Sequence, residues 1–303
     1  MNDNPNKTVT MNQTSSNQNA AIEQKKAEIP APAVHAAEQM ARLNLPAAIT
    51  LNNDKIELKL DSLKFWNINR IDVKENGIKR NFGIETPSSH YGMVYRELGS
   101  PFFIGSGHCE SGKSEQVTSL RIFADGKEIK PEKETIHGEK IRVEKISNIG
   151  PFSVQYSFEL NENRLDEECT ISSRETIKCH CIYFFMHPWS TRFKEMHALE
   201  PNGNLTNLKF KADEGFPTGK DTFYQSITMY DPDSGDALLT DIEHIEGASV
   251  APKRFVWDRQ VYRKDYPADY LQMVFPAGHK AVYHAGTLFF PNNGKPIIPQ
   301  IKQ

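Results

Sequence analysis

Phe152-Ser153-Val154-Gln155-Tyr156-Ser157-Phe158-Glu159-Leu160 alternates apolar and polar side chains over nine residues. A period of two buries one face of the chain and wets the other, which is the pattern of a strand in a half-buried sheet. The same alternation holds at Ile56, Leu58 and Leu60, between Glu57 and Lys59. Strand-like runs recur at 117–123, 141–146, 205–210, 223–230, 270–275 and 281–290. Residues 176–185 end in a continuous apolar run, as in a strand covered on both faces. Turns are marked by Asn76-Gly77, Asp125-Gly126, Asn202-Gly203, Asn293-Gly294 and the polar run 231–236. No amphipathic helix of three turns follows residue 50. The expectation is an all-β protein, a large antiparallel two-sheet β-sandwich with a disordered N-terminal tail.

The aromatic residues divide the chain, because none precedes Phe65. Residues 1–30 are rich in Asn, Gln, Ser, Thr and Lys, a composition that cannot bury a core. Val34, Ala37 and Ala41 leave room for one short helix. We therefore expect a polar tail over 1–48 and a single sandwich domain over 49–303. With 36 basic and 39 acidic residues the net charge is -3, which offers no field for nucleic acid or an anionic membrane surface. No run of about 18 apolar residues marks a membrane span, and the first twenty residues lack the apolar core of a secretory signal. The expected compartment is the cytoplasm by default, with secretion or a periplasmic home left open.

Gly107-His108-Cys109-Glu110-Ser111-Gly112-Lys113-Ser114 matches the phosphate-cradling pattern GxxxxGK[ST]. That motif needs a preceding strand and a following helix. Residues 115–123 read as a strand instead, so nucleotide binding is the least favoured reading. His108 and Glu110 still project from a glycine-rich loop and are candidate acid/base groups. Cys169, Cys179, His180 and Cys181 lack metal-ligand spacing and read mainly as core thiols. With a hairpin turn at Ser173-Arg174-Glu175, Cys169 is expected to face Cys179. Period two places Cys179 and Cys181 on one face.

After the apolar run, His187-Pro188-Trp189-Ser190-Thr191-Arg192-Phe193-Lys194-Glu195-Met196-His197 gathers the densest set of chemically useful side chains. The proline is expected to stop the ladder. Trp189 offers a stacking platform and Arg192 a guanidinium fork. Glu195 with His187 or His197 supplies a general acid and base near neutral pH. His90 and Tyr91 are further binding candidates, whereas His279 and His284 read as surface or satisfied core residues. The alternating aromatic and charged stretch 257–266 suits an exposed strand or rim. No cofactor and no metal ligand set is assigned, and the oligomeric state is not legible.

The strand-rich body, the Asp125-Gly126 hairpin and the His187-Pro188-Trp189 segment resemble the large sandwich of galactose-mutarotase-like proteins. The resemblance implies a histidine acting as general acid and a glutamate as general base on a sugar ring, though no residue of that motif can be carried over. The leading expectation is a carbohydrate-active or carbohydrate-binding protein with epimerase- or lyase-like acid/base chemistry. The alternative is a non-catalytic binding or assembly module.

Overall fold

The computed structural model describes residues 32–84, 92–106, 108–109, 114–130, 134–211, 222–248 and 251–300. It is an all-β sandwich. Strands are numbered in chain order. The largest sheet is ten-stranded and antiparallel throughout. Its order is β17 (Leu205–Lys209), β16 (Glu195–Leu199), β18 (Ser226–Tyr230), β19 (Ala237–Glu246), β22 (Lys280–Phe290), β13 (Arg164–Ser173), β12 (Phe152–Asn161), β11 (Lys140–Ile149), β8 (Gln116–Ala124) and β9 (Lys127–Ile129). Facing it are two further sheets. One has the order β10 (Thr135–His137), β1 (Ala48–Asn52), β2 (Ile56–Asp61), β3 (Asn67–Glu75) and β4 (Ile78–Asn81). The other has seven strands. Its path is β15 (His187–Trp189), β21 (Arg263–Phe275), β14 (Ile177–Tyr183), β5 (Val94–Glu97), β6 (Ile104–Gly105) and β7 (His108–Cys109), with β20 (Lys253–Asp258) also paired to β21. An isolated bridge between Gly83 and Trp189 links these two sheets into one layer.

The layers meet through rings. Phe184 stacks on Tyr283 with centroids 3.7 Å apart, and Phe82 and Trp189 both meet Phe289. Strand β12 shows the alternation its sequence predicts, with Val154, Tyr156, Phe158 and Leu160 buried. Asn76-Gly77 and Asp125-Gly126 both take positive φ at their two central positions, the two-residue turn that matches strand twist. Helix α1 (Pro32–Leu43) docks on the body. The Gln39 amide donates to the Glu115 carbonyl (3.0 Å) and accepts from Val117 N–H (2.8 Å), as a neighbouring strand would. Among the described residues no helix is long and apolar enough to cross a membrane.

The strand expected after the phosphate-loop pattern is present: residues 116–124 form β8, so the pattern lacks the helix it requires. Other expectations are corrected. The segment at Ser173 does not close a hairpin. It carries the chain from β13 in one layer to β14 in the other, so Cys169 lies opposite Tyr156 and Tyr283, and Cys179 opposite Glu97 and Met273. A bulge between Cys179 and Cys181 also breaks the period. Cys179 joins the main core, whereas Cys181 joins a second cluster on the far side of its sheet. Pro188 does not end the ladder either. It pairs with Lys264 inside the short edge strand β15, a position where a missing N–H is tolerated.

The expected core role of the cysteines holds for Cys169, Cys179 and Cys181, all free and buried. Burial pushes the Cys179 thiol up to about 12 and the other two upward as well. Thiolate is the reactive form. Ellman's reagent at about pH 8 should therefore titrate at most one of the four thiols in the native protein and all four after denaturation. Two or more reactive thiols before unfolding would contradict this packing.

Candidate active site on the large sheet

Alternation along β13 sends Leu165, Glu167, Cys169 and Ile171 into the core. Arg164, Asp166 and Glu168 therefore face outward. On the adjacent β22, His284 lies opposite Glu168, and Gly286 lies opposite Asp166. Strand β19 pairs regularly up to Ile242 opposite Ala285, then shifts register so that His244 lies opposite His284. The extra residue is Glu243. Such a bulge re-aims a side chain, and here it brings Glu243 to the same outer face.

The four side chains meet there. Arg164 Nε lies 2.8 and 2.9 Å from the two oxygens of Asp166. Its Nη2 reaches Asp166 Oδ1 at 2.6 Å and Glu243 Oε1 at 2.8 Å. These hydrogen bonds, Asp166 first, raise the guanidinium pKa further against the opposing effect of burial. His284 Nε2 stands 3.8 Å from Asp166 Oδ1, and Nδ1 stands 3.7 Å from Glu243 Oε2. Both exceed hydrogen-bond length, which leaves the ring nitrogens within reach of a ligand hydroxyl. His284 is 34% exposed and Glu243 23%, so the group is reachable without being free in solvent. Gly286 makes the room: a Cβ there would fall 2.0 Å from Arg164 Nη2.

Asp166, Glu243 and His284 also place ligand atoms within 4.8 Å of one another. The guanidinium already bridges the two carboxylates, so a dication would meet a like charge. This set fits a hydrogen-bonding ligand better than a metal. Beside it, Glu168 borders a depression of about 260 Å³ lined also by Arg121, Arg142, Glu144, Gln155 and Ser157. A second depression, of about 360 Å³, shares Arg142 and Glu144. Both depressions lie on the outer face of the large sheet, and His284 stands on the neighbouring strand opposite Glu168, at the border of the first.

The residues singled out in the sequence divide. His187 and Trp189 are buried in the core, at 1% and 0% exposure. His187 Nε2 stands 2.8 Å from the buried Glu167 carboxylate, and Trp189 packs between His187 and Phe289, so it presents no face to a sugar. Arg192 is a clamp. It bonds the Asn81 carbonyl, Asp231, Ser234 and Asp236, and lies over the Phe82 and Phe193 rings at 4.7 Å. Glu195 and His197 face outward on β16, 3.8 Å apart, with His197 Nδ1 2.7 Å from Asn207 Oδ1. They share the large sheet's outer face, but three strand spacings, at least about 14 Å, separate β16 from β22. His90, Tyr91 and Glu110 lie outside the described residues, as does the side chain of His108. Of the outer-face group, the sequence pointed only to His284, and as a bystander.

No protein-family model matches the chain, and no curated relative matches it in sequence. Solved structures do resemble it. The GH36 alpha-galactosidase AgaB from Geobacillus stearothermophilus superposes over 81% of this chain with a TM-score of 0.51 and 9% identity. This chain spans 40% of that enzyme's length. The Slr1438 protein from Synechocystis sp. PCC 6803 matches over 81% of this chain and 96% of its own, with a TM-score of 0.50 and 10% identity. A galactose mutarotase-like protein from Lactobacillus casei ATCC 334 is covered completely, over 80% of this chain, with a TM-score of 0.48 and 10% identity. At these identities the likeness is one of fold. The protein shares its large β-sandwich fold with AgaB, over the part of that enzyme it spans, and with Slr1438.

The role of Gly286 can be checked by a double-mutant cycle. Gly286→Ala should cost about 1–3 kcal/mol in urea unfolding, because the guanidinium must leave its seat. At least half of that cost should vanish when Arg164 is already alanine. An equal cost in both backgrounds would show that Gly286 is not making room for Arg164.

Proposed function

We propose that the outer face of the large sheet is a carbohydrate site. In this reading His284 and its two carboxylates perform acid/base chemistry on a sugar, of epimerase or lyase type. The observation that carries it is one imidazole within 4 Å of two carboxylates from flanking strands, on a partly exposed face. A neutral imidazole offers a proton at one nitrogen and a lone pair at the other, near physiological pH. With Asp166 towards one nitrogen and Glu243 towards the other, a proton given to a sugar oxygen can be balanced by one removed nearby. Arg164 supplies donors for hydroxyl or carboxylate oxygens. A histidine–glutamate pair is also what the resemblance to galactose-mutarotase-like proteins implies. Glu195 and His197 extend the same face for a longer glycan.

The openness of this face favours a second reading, a binding module without turnover. Both are tested together. Purified protein is assayed for anomeric equilibration of hexoses by polarimetry and for deuterium incorporation into uronates. Glu243→Gln and His284→Asn should each slow turnover about 100-fold or more while leaving the melting temperature and the circular dichroism of the fold in place. Undiminished turnover in either variant removes that residue from the mechanism. Glycan binding without turnover in the parent protein would select the binding module.

A further inference from the structure

The row of side chains that contains His284 continues across the large sheet. Register places Glu168 of β13 opposite His284, and Ser157 of β12 opposite Glu168. Glu144 of β11 lies opposite Ser157, and Arg121 of β8 opposite Glu144. Residues directly opposite one another share a face, so all of them point outward with His284. Four strand spacings, about 19 Å, separate β22 from β8. That is farther than one sugar ring reaches.

The two depressions lie within this span. In the first, of about 260 Å³, the short Ser119 and Ser157 leave room between the longer Arg121, Arg142, Gln155 and Glu168. The second, of about 360 Å³, shares Arg142 and Glu144 with the first and adds Phe123 and Gly126. A cavity of about 150 Å³ accepts benzene, so each depression has room for one ring together with its hydroxyls.

The charges around them are matched. Among the described residues, Arg121 and Arg142 are set against Glu144 and Glu168 in the first depression. Lys140 and Arg142 are set against Glu144 and Glu159 in the second. Arg142 meets Glu144 at 2.8 Å, Arg121 meets Glu144 at 3.4 Å, and Lys140 meets Glu159 at 2.9 Å. Lys145 also borders the first depression, but its ammonium is turned inward to Glu115. An anionic ligand would meet a carboxylate wherever it met a cation. A neutral ligand rich in hydroxyls can donate to the carboxylates and accept from the cations, in charge-assisted hydrogen bonds.

We propose that the ligand of this face is a neutral oligosaccharide, with one sugar at His284 and two more in the depressions beside it. This rests on the sugar reading of His284 and extends it from a single ring to at least three.

The test is calorimetric titration of the full chain with galactose, galactotriose, glucose, maltotriose, cellotriose and trigalacturonate. At least one neutral trisaccharide should bind about tenfold or more tightly than its own monosaccharide. Trigalacturonate should bind more weakly than that trisaccharide. Ser157→Phe fills the first depression and should abolish the tenfold gain. Should that variant not fold, Gln155→Phe, on the same strand, is expected to abolish it. Three results would each overturn the oligosaccharide and leave the site at His284 standing: a monosaccharide that binds as tightly as its trisaccharide, a gain that survives the variant, or a preference for trigalacturonate. No binding of any of these sugars would overturn both.

Discussion

Glu167 is a carboxylate at 1% exposure between two sheets, and a charge in that setting must be paired. Tyr156 donates its hydroxyl to it from β12, and His187 stands 2.8 Å away on β15 of the opposite layer. Burial, then the nearby Glu167 charge, holds the Tyr156 phenol protonated far beyond its usual range. The polar seam continues through Lys145, which pairs with Glu115 at 2.8 Å and bonds Asn67 and the Phe65 carbonyl. Breaking one partner of such a seam strands the other, so the pairing fixes which way β13 faces. With Glu167 turned inward, Asp166 and Glu168 have to turn outward. The interior contact thereby determines which side chains β13 presents on the outer face.

This also explains what the sequence concealed. Strand β12 alternates without exception and was legible from its residues alone. Its neighbour β13 has the same alternation, yet its inward positions include Glu167, which reads as a solvated residue when the chain is taken alone. Strand β19 hides its pattern behind the bulge at Glu243, where two successive residues face outward. Both strands carry site residues, so the site was invisible even where His284 itself lay on an expected strand. The opposite error arose at 187–197. That run holds the richest chemistry in the sequence, but its residues part at the crossing between layers. His187 and Trp189 go into the core, Arg192 closes a clamp with Asp231 and Asp236, and only Glu195 and His197 reach the outer face.

The candidate site arises where a strand loses its period. The bulge in β19 delivers Glu243 to the outer face beside His284, and the bulge in β14 turns Cys181 and Tyr183 away from the main core. A regular sheet puts alternate residues on opposite faces, and an extra residue lets two consecutive ones converge. The fold is shared with proteins of about 10% identity, and these local irregularities give the two faces their own chemistry.

In the proposed reading a sugar binds at His284 rather than in the segment around His187. It is tested most directly by NMR of the ten histidine side chains, isotopically labelled and assigned by substitution, during titration with galactose and galacturonate. Saturable shifts are expected at His284 and at its neighbour His244, with the buried His187 unmoved. Shifts at His187 or elsewhere, with His284 silent at saturation, would contradict it.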